Sequence, residues 1–290
     1  MNPGDGAAPV LAYNTNGFYH HRLEDAVRLL AEAGYGGVAL TPDVHHLNPL
    51  ATGPSEWAAF RRLLESLGLE VVVETGARFI LDPRRKHHPS LLTPGAERRL
   101  AFLERCADLA RALGAPVLSF HSGGAPPALS RHEAMERLAA RTAGLVRYAA
   151  ARGVTVALEP EPGMFIASME DFHEFHRRPD VPEELRLTLD VGHAFITEKL
   201  PVAEVIRRSA PLLVNVHLDD VRGGRHEHLP LGEGEIPFAE VMAALRALPD
   251  PPFTSVELSR HGHEAPARAS AALAFLRGLP RGRRGPDGAV

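Results

Sequence analysis

The chain has 290 residues, of which 44% are hydrophobic and 23% charged, with a formal net charge of −4. That composition belongs to a globular protein able to bury a sizeable core, not to a disordered or fibrous one. The acidic balance argues against duplex nucleic acid as the partner, because phosphate binding is carried by a basic excess.

The opening MNPGDGAAPV has neither a basic segment nor a long apolar one, so no signal peptide is expected. Residues 1–9 are expected to be a flexible lead. VLAYN then predicts a first strand, ending at Asn14, with Asn16 just beyond. Leu23, Ala26, Val27 and Leu30 have helical spacing, and Gly34 is a stop. GVAL is a second strand, followed by Thr41-Pro42-Asp43. Pro54-Ser55 opens a helix that Gly68 closes. LEVVVE is a third strand, ending at Glu74, and a long polar loop, residues 75–95, follows it. Loops of that length inside a compact domain are more often functional than idle.

A third helix is predicted from Ala96 to Leu113. It contains the only cysteine, Cys106, expected to be a small buried hydrophobe; a lone cysteine excludes an internal disulfide. APVLSF is strand four, with His121 just past its end, and Ser130 caps a long fourth helix. VTVALE is strand five, ending at Glu159 with Glu161 close by. Ser168 is placed to cap a helix through Phe172 and Phe175. LRLTLD is strand six, ending at Asp190 with His193 three residues on. Pro201–Ser209 is a helix, LLVNVHL a seventh strand carrying His217, and Asp219 follows. After a second long loop, Pro237–Leu248 is a helix, FTSVEL a strand carrying Glu257, and Ala265–Leu279 the last helix. Residues 281–290, rich in Gly and Arg, are expected to be a disordered tail. No window approaches the ~18 apolar residues a membrane helix needs, so a cytoplasmic protein without a membrane partner is expected.

Strands alternating with helices over residues 10–280 imply parallel strands joined by crossovers. Eight such units predict an α/β fold, a single (β/α)8 barrel domain. An open doubly wound sheet fits less well: no G-x-G-x-x-G follows the first strand, and polar residues stand at strand ends throughout rather than at one switch point. In a barrel the strand ends converge on one face. Glu159, Asp190, His217 and Glu257 therefore share a rim, and three carboxylates with one imidazole make a divalent-cation site. The set favours Mn2+, Mg2+ or Co2+ and admits Zn2+. Each residue also has a plainer reading, as a carboxylate paired with an arginine, a helix cap for Asp190 or a core histidine for His217. Those readings must hold together on adjacent strands to displace the metal site. His193 and His121 are candidates for substrate contacts or for a second ion.

The segments ALEPEPG, LTLDVGH, VHLDD, HEHLPLGEGEI (226–236) and SVEL, in this order, resemble the xylose-isomerase-like TIM-barrel superfamily. That group holds sugar and sugar-phosphate isomerases and epimerases, dehydratases of inosose and dehydroshikimate, and endonuclease IV-type DNA-repair enzymes. The resemblance implies Glu159, Asp190, His217 and Glu257 as ligands of one divalent ion. It also implies Glu159 and Glu257 as the acid/base pair of an isomerase or epimerase working through an enediolate. His193, Arg222, His121, Asn14, Glu74 and His228 are expected around the substrate, with His121, His193 and His226 available to a second ion. A dehydratase on the same scaffold is the alternative. The nuclease branch, with three zinc ions, fits worst. Its Asp-x-His pair falls on Gly224-Arg225-His226, which lacks the aspartate. A small polyhydroxy carbonyl substrate and a homo-oligomer complete the expectation. The run Arg84-Arg85-Lys86-His87-His88, with Arg78, and Arg260 after the last strand could receive a phosphate or carboxylate, or simply be solvated.

Overall fold

The computed structural model describes residues 9–76 and 78–280; the expected flexible lead and tail fall almost wholly outside them. Eight parallel strands close into a barrel. They are β1 (Leu11–Asn14), β2 (Gly37–Leu40), β3 (Glu70–Glu74), β4 (Val117–His121), β5 (Thr155–Glu159), β6 (Arg186–Asp190), β7 (Leu213–Leu218) and the closing strand Phe253–Val256. The last pairs with β7 on one side and β1 on the other. In chain order that closing strand is β10, because two short strands, β8 (Asp220–Arg222) and β9 (Arg225–Leu229), form an antiparallel hairpin before it.

Side chains alternate inward and outward along each strand. Outward go large apolar groups such as Tyr13, Leu40, Phe120 and Leu158, which join the main core with the surrounding helices. Inward, small residues fill the lower barrel: Ala39, Val72, Val117 and Ala157 form a separate cluster. Above it lies a polar layer in which Thr188 Oγ1 donates to Ser119 Oγ at 2.9 Å. One inward step further up are Asn14, Thr41, Glu74, Glu159, Asp190, His217 and Glu257. The site is thus the top layer of the same alternation that builds the core.

The helices are α1 (Leu23–Ala33), α2 (Pro54–Leu67), α3 (Ala96–Leu113), α4 (Arg131–Ala150), α5 (Met169–His176), α6 (Val191–Thr197), α7 (Val202–Ser209), α8 (Phe238–Arg246) and α9 (Ala265–Gly278). No helix among the described residues is long and apolar enough to cross a membrane. Most bounds agree with the pattern of apolar residues. Ser130 Oγ accepts from Glu133 N and Ser168 Oγ from Asp171 N, as caps should. Cys106 is buried in α3. Three local differences matter for the site. His121 lies within β4 rather than past it. Glu257 lies just past the closing strand. An unpredicted helix, α6, begins directly at Asp190.

Candidate active site

A cavity of about 610 Å3 opens at the C-terminal ends of the strands. On its floor His217 is the hub. Its Nε2 donates to Glu74 Oε1 at 3.0 Å, and Asn215 Nδ2 donates to the same oxygen at 2.7 Å. The Nδ1 then faces three carboxylates: Glu257 Oε2 at 3.0 Å, Glu159 Oε1 at 3.2 Å and Asp190 Oδ2 at 4.0 Å. A carboxylate behind a histidine is the arrangement that fixes the tautomer and aim of a metal-binding imidazole.

Asp190 divides its oxygens. Oδ1 caps α6 by accepting from His193 N at 2.8 Å, while Oδ2 is buried without a hydrogen-bond partner. The donor atoms of Glu159, Asp190, His217 and Glu257 all lie within 4.8 Å of one another. Around an octahedral ion with bonds of about 2.1 Å, adjacent donors stand about 3 Å apart and opposite ones about 4.2 Å. The three separations from His217 Nδ1 match that spacing, and the orphaned Asp190 oxygen is the atom an ion would satisfy. These four residues could hold a divalent cation.

Electrostatics agree. Burial pushes the Asp190 carboxyl well above its ordinary range, with the Asp219 charge adding to the shift. Burial also raises Glu159, against the pull of His217. Burial would raise Glu257 as well, but the charged His217 and His228 and a hydrogen bond from Asn16 hold it well below the usual value. Asn16 Nδ2 reaches Glu257 Oε1 at 2.7 Å. For His217, burial opposes protonation, and Glu74, Glu159 and Glu257 together outweigh it, so the proton is held far above the usual imidazole range. Glu161 also lines the cavity. Burial, then Glu159 and Glu257, push its carboxyl up to about 8.

Beside the floor a second group converges. His193 Nδ1 donates to Pro160 O at 3.1 Å, and His228 Nδ1 lies 2.8 Å from Asp219 Oδ2. Both rings therefore turn Nε2 toward His226, whose own Nε2 is 2.9 Å from His193 and 2.8 Å from His228. This trio could hold a second ion. The hairpin makes it possible. Gly223 and Gly224, at φ of 60° and 68°, form the turn between β8 and β9, the conformation that favours glycine at both positions. His226 and His228, two residues apart, then share one face. The Gly-Gly turn and the H-x-H alternation are both readable in the sequence.

Other expected residues separate. Asn14, Glu74, His121, His193 and His228 line the cavity. Asn14 Oδ1 accepts from Asn16 N and Thr41 Oγ1, so it orients neighbours on the rim. His121 does not join His193 and His226. It packs edge-on against His87, ring centroids 5.1 Å apart, and the histidines that come together are His193, His226 and His228. Arg222 does not line the cavity. It is exposed at the hairpin turn and donates to the Glu233 carbonyl, because the strand alternation that aims His226 and His228 inward leaves this end of the ribbon in solvent. The pair spaced by two that reaches the site is His226 and His228, not Gly224 and His226.

A curated relative, an uncharacterized protein of Methanocaldococcus jannaschii, is 28% identical over 142 residues, 47% of this chain; the match spans about half, 48%, of that relative's length. Among solved structures, 3-keto-D-glucoside 4-epimerase from E. coli superposes with a TM-score of 0.75 at 20% identity, over 93% of this chain and 99% of that one. A probable 3-DHS dehydratase of petrobactin synthesis from Bacillus anthracis gives 0.75 at 19%, over 93% and 99%. An L-ribulose 3-epimerase gives 0.74 at 22%, over 93% of each. At these identities the likeness is one of fold. Residues 27–279 match the xylose isomerase-like TIM barrel family, and the chain belongs to that family.

Proposed function

We propose that this protein is a divalent-metal-dependent isomerase or epimerase of a small sugar or sugar phosphate, moving a proton through an enediolate with Glu257 and Glu159 as the acid/base pair. The observation that carries the reading is that pair itself. Two glutamates flank one imidazole nitrogen at 3.0 and 3.2 Å; burial raises the Glu159 carboxyl, while His217, His228 and Asn16 hold Glu257 in its charged form. The epimerases among the structural neighbours add support by analogy of fold.

Glu159, Asp190, His217 and Glu257 would hold the ion, which when bound polarises the substrate carbonyl and its neighbouring hydroxyl and so acidifies the C–H between them. Glu257, ionised and held by Asn16, takes that proton. Glu159, the more readily protonated of the two, returns one to the other face or the adjacent carbon. Glu74 keeps His217 in the tautomer that leaves Nδ1 toward the carboxylates. His193 stands beside Glu159, Nδ1 to Oε1 3.5 Å, with its Nε2 turned toward His226.

A dehydratase on a polyhydroxy keto compound is the second reading. Glu161, still protonated near neutral pH, lines the same cavity and could protonate a leaving hydroxyl. The test is exchange of substrate protons in D2O with Mn2+, across a panel of ketoses and keto acids. Exchange beside the carbonyl is expected, slowed at least about 100-fold in both Glu159→Gln and Glu257→Gln. Parent-like exchange in both variants overturns the assignment. The product separates isomerisation from loss of water.

A further inference from the structure

The floor of the cavity is acidic, but one sector of its mouth is basic. Arg78 and Lys86, from the loop between β3 and α3, and Arg260, from the loop after the closing strand, all line it. They are held there by specific contacts. The buried guanidinium of Arg99 donates to Pro89 O and His87 O, both at 2.9 Å, and ties the loop to α3. His87 N donates to Arg78 O at 2.7 Å, which brings Lys86 alongside Arg78. Arg78, its side chain 19% exposed, donates from Nη2 to Asn16 O at 3.2 Å and lies 5.3 Å over the Tyr19 ring. Arg260 Nη2 donates to His226 O at 2.8 Å on the hairpin.

Little neutralises this sector. Arg78 Nη1 is 3.9 Å from Asp43 Oδ2. The Lys86 ammonium makes no hydrogen bond or ion pair with any described residue; Glu161 and Glu257 act on it only at longer range. Burial and the charges of Arg78 and Arg260 lower its pKa. Gathering like charges over a partly enclosed space costs free energy, and the cost is recovered when an anion enters.

We propose that Arg78, Lys86 and Arg260 form a subsite for a terminal phosphate or carboxylate, so that the substrate is an anionic polyhydroxy carbonyl compound rather than a free sugar. Guanidinium and ammonium groups suit both anions. The cavity falls in the ~300–1,000 Å3 range of small-molecule sites, with room for a sugar between floor and rim. The choice of a carbonyl compound rests on the function proposed above; the anion subsite does not.

The test is calorimetric titration of the Mn2+-loaded protein with D-fructose 6-phosphate, quinate and D-fructose, in the parent and in the double variant Lys86→Gln/Arg260→Gln. Both positions are exposed, so a parent-like melting temperature is expected of the variant. At least one anionic probe is expected to bind the parent about tenfold or more tightly than D-fructose. The variant should lose that advantage while D-fructose binding changes less than about twofold. Which anion gains identifies phosphate or carboxylate as the group recognised. Equal binding of all three probes, no binding of either anion, or an equal loss for all three in the variant overturns the subsite. Titration with Mn2+ alone reads the floor separately. Bound Mn2+ without an anion preference sinks only the subsite; an anion preference without bound Mn2+ sinks only the metal site.

Discussion

Asp190 performs two tasks with one carboxylate, capping α6 through one oxygen and leaving the other unpartnered toward His217. A helix cap and a metal ligand were competing readings of this residue, and the geometry accommodates both. The arrangement is expensive without an ion, since burial and Asp219 disfavour the charged form. Asp190→Asn keeps a capping oxygen and removes the charge. It is expected to lower Mn2+ affinity at least about tenfold yet leave the metal-free protein as stable or more stable in urea unfolding, the trade often found at active sites. A variant less stable than the parent in EDTA would contradict this. A second expectation concerns protons. His217 is held protonated and Glu159 and Asp190 are raised, so an entering cation must displace protons. Affinity should fall as pH falls, and titrations in buffers of different ionisation enthalpy should show proton release. These inward residues were legible because each lies at or near the end of an apolar run. Arg222 escapes that rule because its place depends on a turn whose effect emerges only once the hairpin is built.

At the scale of elements, the hairpin and the segment after it decide where His226 and His228 sit. Their anchor is Asp220, fully buried, whose carboxylate accepts from Val221 N, Gly232 N, Gly234 N and Ile236 N at 2.8–3.1 Å. Removing it strands the N–H groups of buried Val221 and Ile236, each costing about 1–3 kcal/mol, and those of the less buried Gly232 and Gly234. Asp220→Ala is therefore expected to destabilise the fold by about 3 kcal/mol or more in urea unfolding; a loss below about 1 kcal/mol would refute the anchoring role. Gly192, in α6, is a second fixed point. A Cβ there would lie 2.3 Å from Asp219 Oδ1, the oxygen that accepts from Gly192 N at 3.1 Å. Strands and long helices were readable because their apolar periodicity is strong. α6 was not, because it is seven residues long and starts inside a motif read for its chemistry.

For the whole molecule, eight alternating units predicted the closed barrel, and closure brings residues from distant parts of the chain within 3–4 Å of His217. What the sequence could not show is which loops fold back over the mouth. The loop at 75–95 has no regular pattern, and its course is set by Arg99 and His87. Burial first, then the Lys86 charge, lower the His87 pKa to about 4. The unfolded chain takes up that proton near pH 6.5. Between pH 6.5 and 4 the unfolded state binds more protons, so stability falls as pH falls through this window, by up to about 3 kcal/mol from His87. His121 and His226, also lowered, add to the slope. Urea unfolding at pH 7 and pH 5 should show a smaller difference in His87→Gln than in the parent.

The central claim is that the four residues on the floor bind a divalent cation. The most direct measurement is the Mn2+ content and affinity of chelator-treated protein, compared with His217→Ala and Asp190→Ala. The account predicts that the parent binds Mn2+ and that each variant loses about 100-fold or more in affinity. Mn2+ binding of equal strength in parent and both variants, or none in the parent across pH 6–8, would contradict it.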